Sequence, residues 1–333
     1  MSGPVVLVTG GAGFIGSNIV ADLCARGEYD VVVCDRLGDA ESGKWKNLAK
    51  HPIADWVEPE QLFRWLDGTR RRLDGVIHMG AVSATTETDV DHILRSNFAL
   101  SRELWEWCAR NRKTFVYASS AATYGDGALG FSDGDDPARL QALRPLNAYG
   151  WSKALFDAYA RRESDRGERP PSWAGVKFFN VYGPNEGHKG SMKSVVAQIW
   201  PRVQAGEPVK LFRSHHPDYA DGGQLRDFVW VRDAADMVLW LFAQENLEGI
   251  YNCGTGRARS FLDLANATFA AAGRTPQVEY VDVPEAIRPN YQYFTQADLG
   301  RLRALGYQRP FASLEDGVGD YVRGYLSRPD PYR

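Results

Sequence analysis

Tyr149 and Lys153 stand four residues apart in a segment of helical character, so their side chains share one face. An ammonium beside a phenol stabilises the phenolate and lowers its pKa from about 10. A phenol tuned in that way can take a proton from a hydroxyl and give it back, which is the proton half of a hydride transfer. The same spacing also arises as an ordinary pair on a helix surface. Ser119 and Ser120, at the end of an apolar run, weigh against that plain alternative, because a serine there holds a reacting oxygen beside the tyrosine. Ser119 is the expected holder.

A hydride needs an acceptor. Gly10-Gly11-Ala12-Gly13-Phe14-Ile15-Gly16 directly follows an apolar run at 5–9 and opens a segment with helical periodicity. Gly10 permits a tight turn, Gly13 lets backbone approach a pyrophosphate, and Gly16 lets helix and strand pack closely. The helix start adds free N–H groups and a positive dipole end. A glycine triplet alone can be a plain turn; here the strand before, the helix after and an acid at the end of the next strand agree. That acid, Asp35, suits a ribose hydroxyl. Arg36 and Lys44 offer cations to a 2′-phosphate, so NADP is expected rather than NAD. The alternative is that both are solvated surface charges.

These side chains need elements to position them. Residues 5–9, 30–34, 75–79, 114–119 and 176–179 read as buried strands, and 15–26, 61–66, 90–110 and 149–162 as helices between them. The alternation predicts an α/β fold, a Rossmann doubly wound parallel sheet with a smaller, interleaved C-terminal substrate-binding lobe. Residues 1–180 would form the dinucleotide-binding domain, with 225–258 returning to it. Residues 181–224 and 259–333 would form the lobe. Within the second half, 180–193 reads as loop, 194–204 as helix, 214–224 as a polar surface loop, 228–242 as strand then helix, 262–272 as helix and 278–283 as strand. No internal repeat is visible.

A net charge of −3 argues against a general nucleic-acid binder. Cys24, Cys34, Cys108 and Cys253 form no CxxC pair and read as reduced thiols. The first residues carry no basic stretch followed by an apolar one, and no apolar run reaches the roughly 18 residues a bilayer requires. A cytoplasmic location follows as an expectation. His215-His216 has no third ligand spaced for a metal, so none is expected.

The segments Thr9 to Gly16, Ser119-Ser120-Ala121-Ala122-Thr123-Tyr124-Gly125 and Tyr149-Gly150-Trp151-Ser152-Lys153 resemble the extended short-chain dehydrogenase/reductase superfamily of NAD(P)-dependent epimerases and dehydratases. That set leaves sugar epimerases, dehydratases and reductases open. Three more segments narrow it: Phe179-Asn180-Val181-Tyr182-Gly183-Pro184 running into Glu186-Gly187-His188-Lys189-Gly190-Ser191-Met192, then Asn252-Cys253-Gly254-Thr255-Gly256-Arg257-Ala258, then Tyr291 to Leu299. Together they are similar to the ADP-L-glycero-D-manno-heptose 6-epimerases of lipopolysaccharide core biosynthesis. The likeness spans nearly the whole chain, and the stretch from Gly187 to Met192 is its most specific part.

The resemblance implies transient oxidation at C6 of an ADP-heptose, rotation about C5–C6, and hydride return to the other face. Tyr149 and Lys189 match its two acid/base positions, and Lys153 its ribose-binding, tyrosine-tuning lysine. Cofactor contacts are implied at Phe14, Ile15, Lys44, Met79, Gly80, Ala81, Val82, Ser83, Val181 and Lys189. Substrate contacts are implied at Asn180, Ser191, Phe212, Arg213, Ser214, Arg226 and Tyr291. The family also implies a homo-oligomer, the pentamer. An arginine fork at 226 suits a diphosphate; the alternative is an ion pair with Asp227. For Tyr291 the alternative is plain packing. The chain departs from the pattern in a longer loop at 214–225 and at Pro59 and Gln198, where a polar or basic contact is expected. Three rivals remain. A 4,6-dehydratase wants an acid beside the serines, where Ala121, Ala122 and Thr123 stand. A 4-epimerase leaves Lys189 idle. A non-catalytic NADP-binding protein has no need of Tyr149 and Lys153.

Overall fold

Runs of valine, isoleucine and leucine make the central strands, and their burial on both faces selects parallel pairing under helices. The computed structural model describes residues 3–69, 72–84, 87–285, 288 and 291–333. Its strands are β1 (Val5–Thr9), β2 (Asp30–Cys34), β3 (Asp55–Val57), β4 (Leu73–His78), β5 (Thr114–Ser120), β6 (Trp173–Phe178), β7 (Asn180–Tyr182), β8 (Val209–Phe212), β9 (Leu225–Trp230), β10 (Ile250–Cys253), β11 (Ala258–Ser260) and β12 (Val278–Val281). Seven form one sheet in the order β10-β6-β5-β4-β1-β2-β3, with every pair parallel. The order turns back at β1, which lies between β2 and β4. In open sheets of this kind the crevice beyond the strand ends at such a switch point takes the ligand.

The helices are α1 (Phe14–Arg26), α2 (Leu62–Thr69), α3 (Val90–Leu94), α4 (Leu100–Asn111), α5 (Pro137–Ala142), α6 (Ala148–Asp165), α7 (Val195–Ala205), α8 (Val231–Phe242), α9 (Phe261–Ala271), α10 (Gly300–Ala304) and α11 (Leu314–Tyr321). Two small sheets complete the fold, β11-β9-β7 and β12-β8. One core joins the large sheet to its helices. A second gathers Val196, Trp200, Phe228, Leu264 and Val318, and Phe14 of the glycine turn belongs to it. Ile15 beside Phe14 packs against both cores, so the glycine turn is tied to each.

Two local expectations need correction, and one strand was not expected. The helix expected over 90–110 is broken by a π-turn at Arg95–Ala99, because Asn97 there is turned inward to bond the chain after β4. The stretch 225–258 divides: β10 lies at the edge of the large sheet, while β9 pairs with β7 and β11. The strand β3 carries only one buried residue, Val57, and so has no apolar run to announce it. Among the described residues, no helix is long and apolar enough to cross a membrane.

Candidate active site

The glycine turn leaves a bare backbone wall. Gly10 has φ +65°, and a Cβ there would lie 2.5 Å from the Gly80 nitrogen. A Cβ on Gly16 would lie 2.1 Å from the Gly10 carbonyl oxygen. Neither position admits a side chain. Gly13 caps α1 without a side-chain acceptor, and no acid stands in the first turn, so the N–H groups there face the cleft without a side-chain acceptor of their own. These features fit a dinucleotide pyrophosphate. The cleft holds about 750 Å³ and is lined by Gly10, Gly13, Phe14, Ile15, Gly16, Asp35, Lys44, Met79, Gly80, Ala81, Val82, Ser83, Asn180, Val181 and Lys189, with Ser119, Ser120, Tyr149 and Lys153.

At the far end of β2, the Asp35 carboxylate accepts from the Ala12 N–H at 2.9 Å and from Lys44 Nζ at 2.7 Å. Lys44 also donates to the Arg36 carbonyl at 2.7 Å. The two cations differ: Lys44 lines the cleft, whereas the exposed Arg36 guanidinium is paired with Glu60.

The proton-transfer group is built by α6. Asn147 caps that helix, accepting from the Gly150 N–H at 2.8 Å, and so fixes the turn that carries Tyr149. Ser120, not Ser119, is the serine that faces the phenol. Ser119 instead donates to the Asp157 carboxylate at 2.8 Å, beside Tyr117, which donates at 2.9 Å. Tyr117 and Ser119 are two apart on β5 and face the same way, while Ser120 ends the strand. Ser120 is therefore the serine beside the phenol. Lys153 Nζ donates to the Ala118 carbonyl at 2.8 Å. Burial raises the Tyr149 pKa, opposed only by the Ser120 bond. Burial pushes Lys153 down to about 8, against the pull of Asp157. The lysine ammonium is aimed at that carbonyl.

Lys189 enters the cleft from the turn Gly187–Met192. Its Nζ lies 5.3 Å from the centre of the Phe14 ring. Burial lowers its pKa, with Glu186 opposing. The neighbouring His188 is pushed down to about 4 by burial and by Lys44 and Lys189.

A second cluster lies behind Phe261, a residue that also lines the cleft. The Arg226 guanidinium sits 5.6 Å from the Phe261 ring and 5.5 Å from Tyr291. It donates to the carbonyls of Leu225 and Gln292. Among the described residues it has no acid partner. Asp227 is occupied by Thr255, Gly256 and Ala297. Phe212 meets Tyr291 edge-on at 6.0 Å. Arg213 is turned to the Tyr280 carbonyl, Ser214 bonds His216 within its own loop, and Ser191 accepts from Gln198 through its carbonyl. None of these last three lines the cleft. The exposed loop at 214–224 is docked by stacking of His216, Tyr219 and Tyr293.

Sequence reasoning missed two residues. Asn97 bonds the Val82 N–H at 2.8 Å, its carbonyl at 2.9 Å and Ser152 Oγ at 3.0 Å. It thereby holds one cleft wall against α6. Asp157, fully buried, stands four residues after Lys153 on the same face of α6 and pairs with Lys177 at 3.4 Å. The continued spacing of four was the available signal for Asp157; for Asn97 there was none.

A sequence profile of the NAD dependent epimerase/dehydratase family matches residues 6–254. The chain belongs to that family. Within it, the chain is 49% identical over 328 residues to an ADP-L-glycero-D-manno-heptose-6-epimerase of Nitratidesulfovibrio vulgaris, covering 98% of this chain and 99% of that one. Its fold is similar to the Helicobacter pylori ADP-L-glycero-D-manno-heptose-6-epimerase, with TM-score 0.80, 28% identity and coverage of 98% and 97% of the two chains. It is also similar to the Thermus thermophilus UDP-glucose 4-epimerase solved with NAD, with TM-score 0.74, 31% identity and coverage of 96% and 99%. The family shares the Rossmann sheet and a nicotinamide cofactor, and the bare wall of this cleft has the form that such a cofactor requires.

Proposed function

We propose that this enzyme interconverts the C6 epimers of an ADP-glycero-manno-heptose, using NADP, as a step toward the lipopolysaccharide core. One observation carries the reading. Tyr149 from α6 and Lys189 from the turn at 187–192 open onto a single cleft, and burial lowers the proton affinity of the lysine. A free lysine near 10.4 stays protonated at neutral pH; a base must give that proton up. The name printed for the Nitratidesulfovibrio vulgaris relative agrees with this reading. A 4-epimerase on the Thermus thermophilus pattern would leave Lys189 without a task.

A nicotinamide held by the glycine turn and Lys153 would supply the acceptor, and then the donor, of the C6 hydride. The protein handles the proton. Tyr149 takes it from the C6 hydroxyl of one epimer, with Ser120 fixing the phenol. Rotation about C5–C6 carries the oxygen away from Tyr149, and Lys189 serves the second position. Lys153 holds the ribose. Arg226 is desolvated and lacks a counter-charge among the described residues, so it is poised for a diphosphate, flanked by Tyr291 and Phe261. Asp35 takes a ribose hydroxyl, and Lys44 and Arg36 meet the 2′-phosphate. In this division the large sheet binds NADP, and residues 181–224 with 259–333 bind the sugar nucleotide. The free cysteines suit the cytoplasm, and a homo-oligomer, the pentamer, is the assembly this reading carries.

Lys189→Met tests the assignment. Turnover of ADP-heptose should fall about 10²–10⁴-fold while NADP binding persists, and Tyr149→Phe should fall similarly. A Lys189→Met enzyme with normal kcat would return the chain to the epimerases that work with one tyrosine.

A further inference from the structure

Glu186 is 1% exposed, yet its carboxylate has no ion-pair partner among the described residues. Four donors surround it instead: the Ser194 N–H, Ser194 Oγ at 2.6 Å, the Tyr321 hydroxyl at 2.9 Å and the Gly183 N–H at 3.5 Å. The two N–H groups can only donate, and they address different oxygens, so both oxygens act as acceptors. A glutamine would fill the same volume without burying a charge, and a buried charge is costly unless something answers it. Here the four donors answer it, and the same residue also fixes the turn that follows. The Lys189 N–H donates to the Glu186 carbonyl at 3.0 Å, which sets the lysine on the turn that Glu186 begins.

The turn is anchored on two sides by consecutive residues. Asn185, at φ +73°, donates to Ser17 of α1 at 3.0 Å and accepts from Asn47. Glu186 reaches the start of α7 through Ser194 and the end of α11 through Tyr321. One anchor thus grips the cofactor helix and the other grips the second lobe. Lys189 reaches from their junction to the Phe14 ring, which belongs to the second core.

We propose that Glu186 is the positioning residue for Lys189: its carboxylate braces the turn that carries the lysine and puts an acid on that same turn. The inference rests on Lys189 acting as the second acid/base group. The groups that face Lys189 are Glu186 on its own turn, the adjacent His188, and the Phe14 ring from α1. Lys44 and Asp35 face His188 from the side of β2. Glu186 is the acid among those facing the lysine itself.

The test is Glu186→Gln in the holoenzyme, with kcat/KM followed against pH in both directions of epimerisation. Loss of the charge makes the ammonium less stable. The limb belonging to Lys189 should therefore move down by about one pH unit. That limb is the acidic one where the lysine takes the proton and the basic one where it gives it. Glu186→Asp keeps the charge and should restore the limb position even where the rate stays low. A folded Glu186→Gln enzyme with both limbs unmoved overturns the proposal. Should that variant not fold, Tyr321→Phe decides: it keeps the ring and removes one donor, and kcat should drop about 5-fold with NADP affinity retained. Unchanged kcat in Tyr321→Phe would then overturn it. Normal kcat in Lys189→Met sinks the two-base reading itself. A slow Lys189→Met with unmoved limbs in Glu186→Gln sinks only the present inference.

Discussion

At the scale of residues, the two adjacent serines carry a direct contrast. Ser120 meets the Tyr149 phenol, whereas Ser119 satisfies a fully buried Asp157. Ser120→Ala should lower kcat about 10²-fold with the fold intact, since a group aimed at the reacting oxygen is lost. Ser119→Ala should leave kcat within about 10-fold but reduce stability by about 1–3 kcal/mol, because a buried carboxylate loses a donor. Steady-state kinetics and thermal melts on the two variants separate the roles, and the reverse pattern would restore Ser119 as the oxygen holder. The sequence could not choose between them. Alternation along β5 shows that neighbours face opposite ways, but not which face α6 covers.

At the scale of elements, the proposed preference for NADP is placed on β2 and the loop after it. Arg36 is held by Glu60, so the acid competes with any 2′-phosphate for the same guanidinium. Exposed pairs of this kind are weak and exchange readily. Glu60→Gln should tighten NADP binding several-fold while leaving NAD nearly unchanged, and Arg36→Ala should shrink the preference. Calorimetry with both dinucleotides checks this; equal affinities for NAD and NADP in the wild type would contradict the role given to strand two. The elements themselves were largely legible. Residues 5–9 and 30–34 coincide with β1 and β2 because both are bounded apolar runs. The glycine spacing placed the start of α1, since only a bare backbone fits against Gly80 and the Gly10 carbonyl. What stayed hidden was pairing. The three-residue strands β7 and β11 are defined by β9 beside them and not by their own composition. The π-turn at Arg95–Ala99 arises because Asn97 bonds residues 15 positions away, which no local periodicity can report.

At the scale of the whole molecule, the large sheet contains a titratable group with consequences for stability. His78 ends β4 fully buried, between Thr9 Oγ1 at 2.6 Å and Ser101 Oγ at 2.9 Å. Burial, with a smaller push from Lys153, lowers its pKa to about 3. An unfolded histidine takes up a proton near 6.5, so between about 6.5 and 3 the unfolded chain binds a proton that the folded chain refuses. Stability from this group is present above pH 6.5 and is lost as the pH falls through that window. The melting temperature should therefore decline from pH 7 to pH 5, and His78→Gln, which keeps hydrogen-bonding groups between the same hydroxyls, should flatten the decline. An identical slope in the variant would remove His78 from the account.

In the proposed mechanism the hydride leaves C6 and returns to C6 while Tyr149 and Lys189 handle only the hydroxyl proton. The most direct measurement is to incubate one ADP-heptose C6 epimer with the purified protein and NADP in heavy water and to follow the sugar carbons by NMR. The account predicts that both C6 epimers appear and that neither C5 nor C6 gains deuterium. Absence of the second epimer, or deuterium at either carbon, would contradict it.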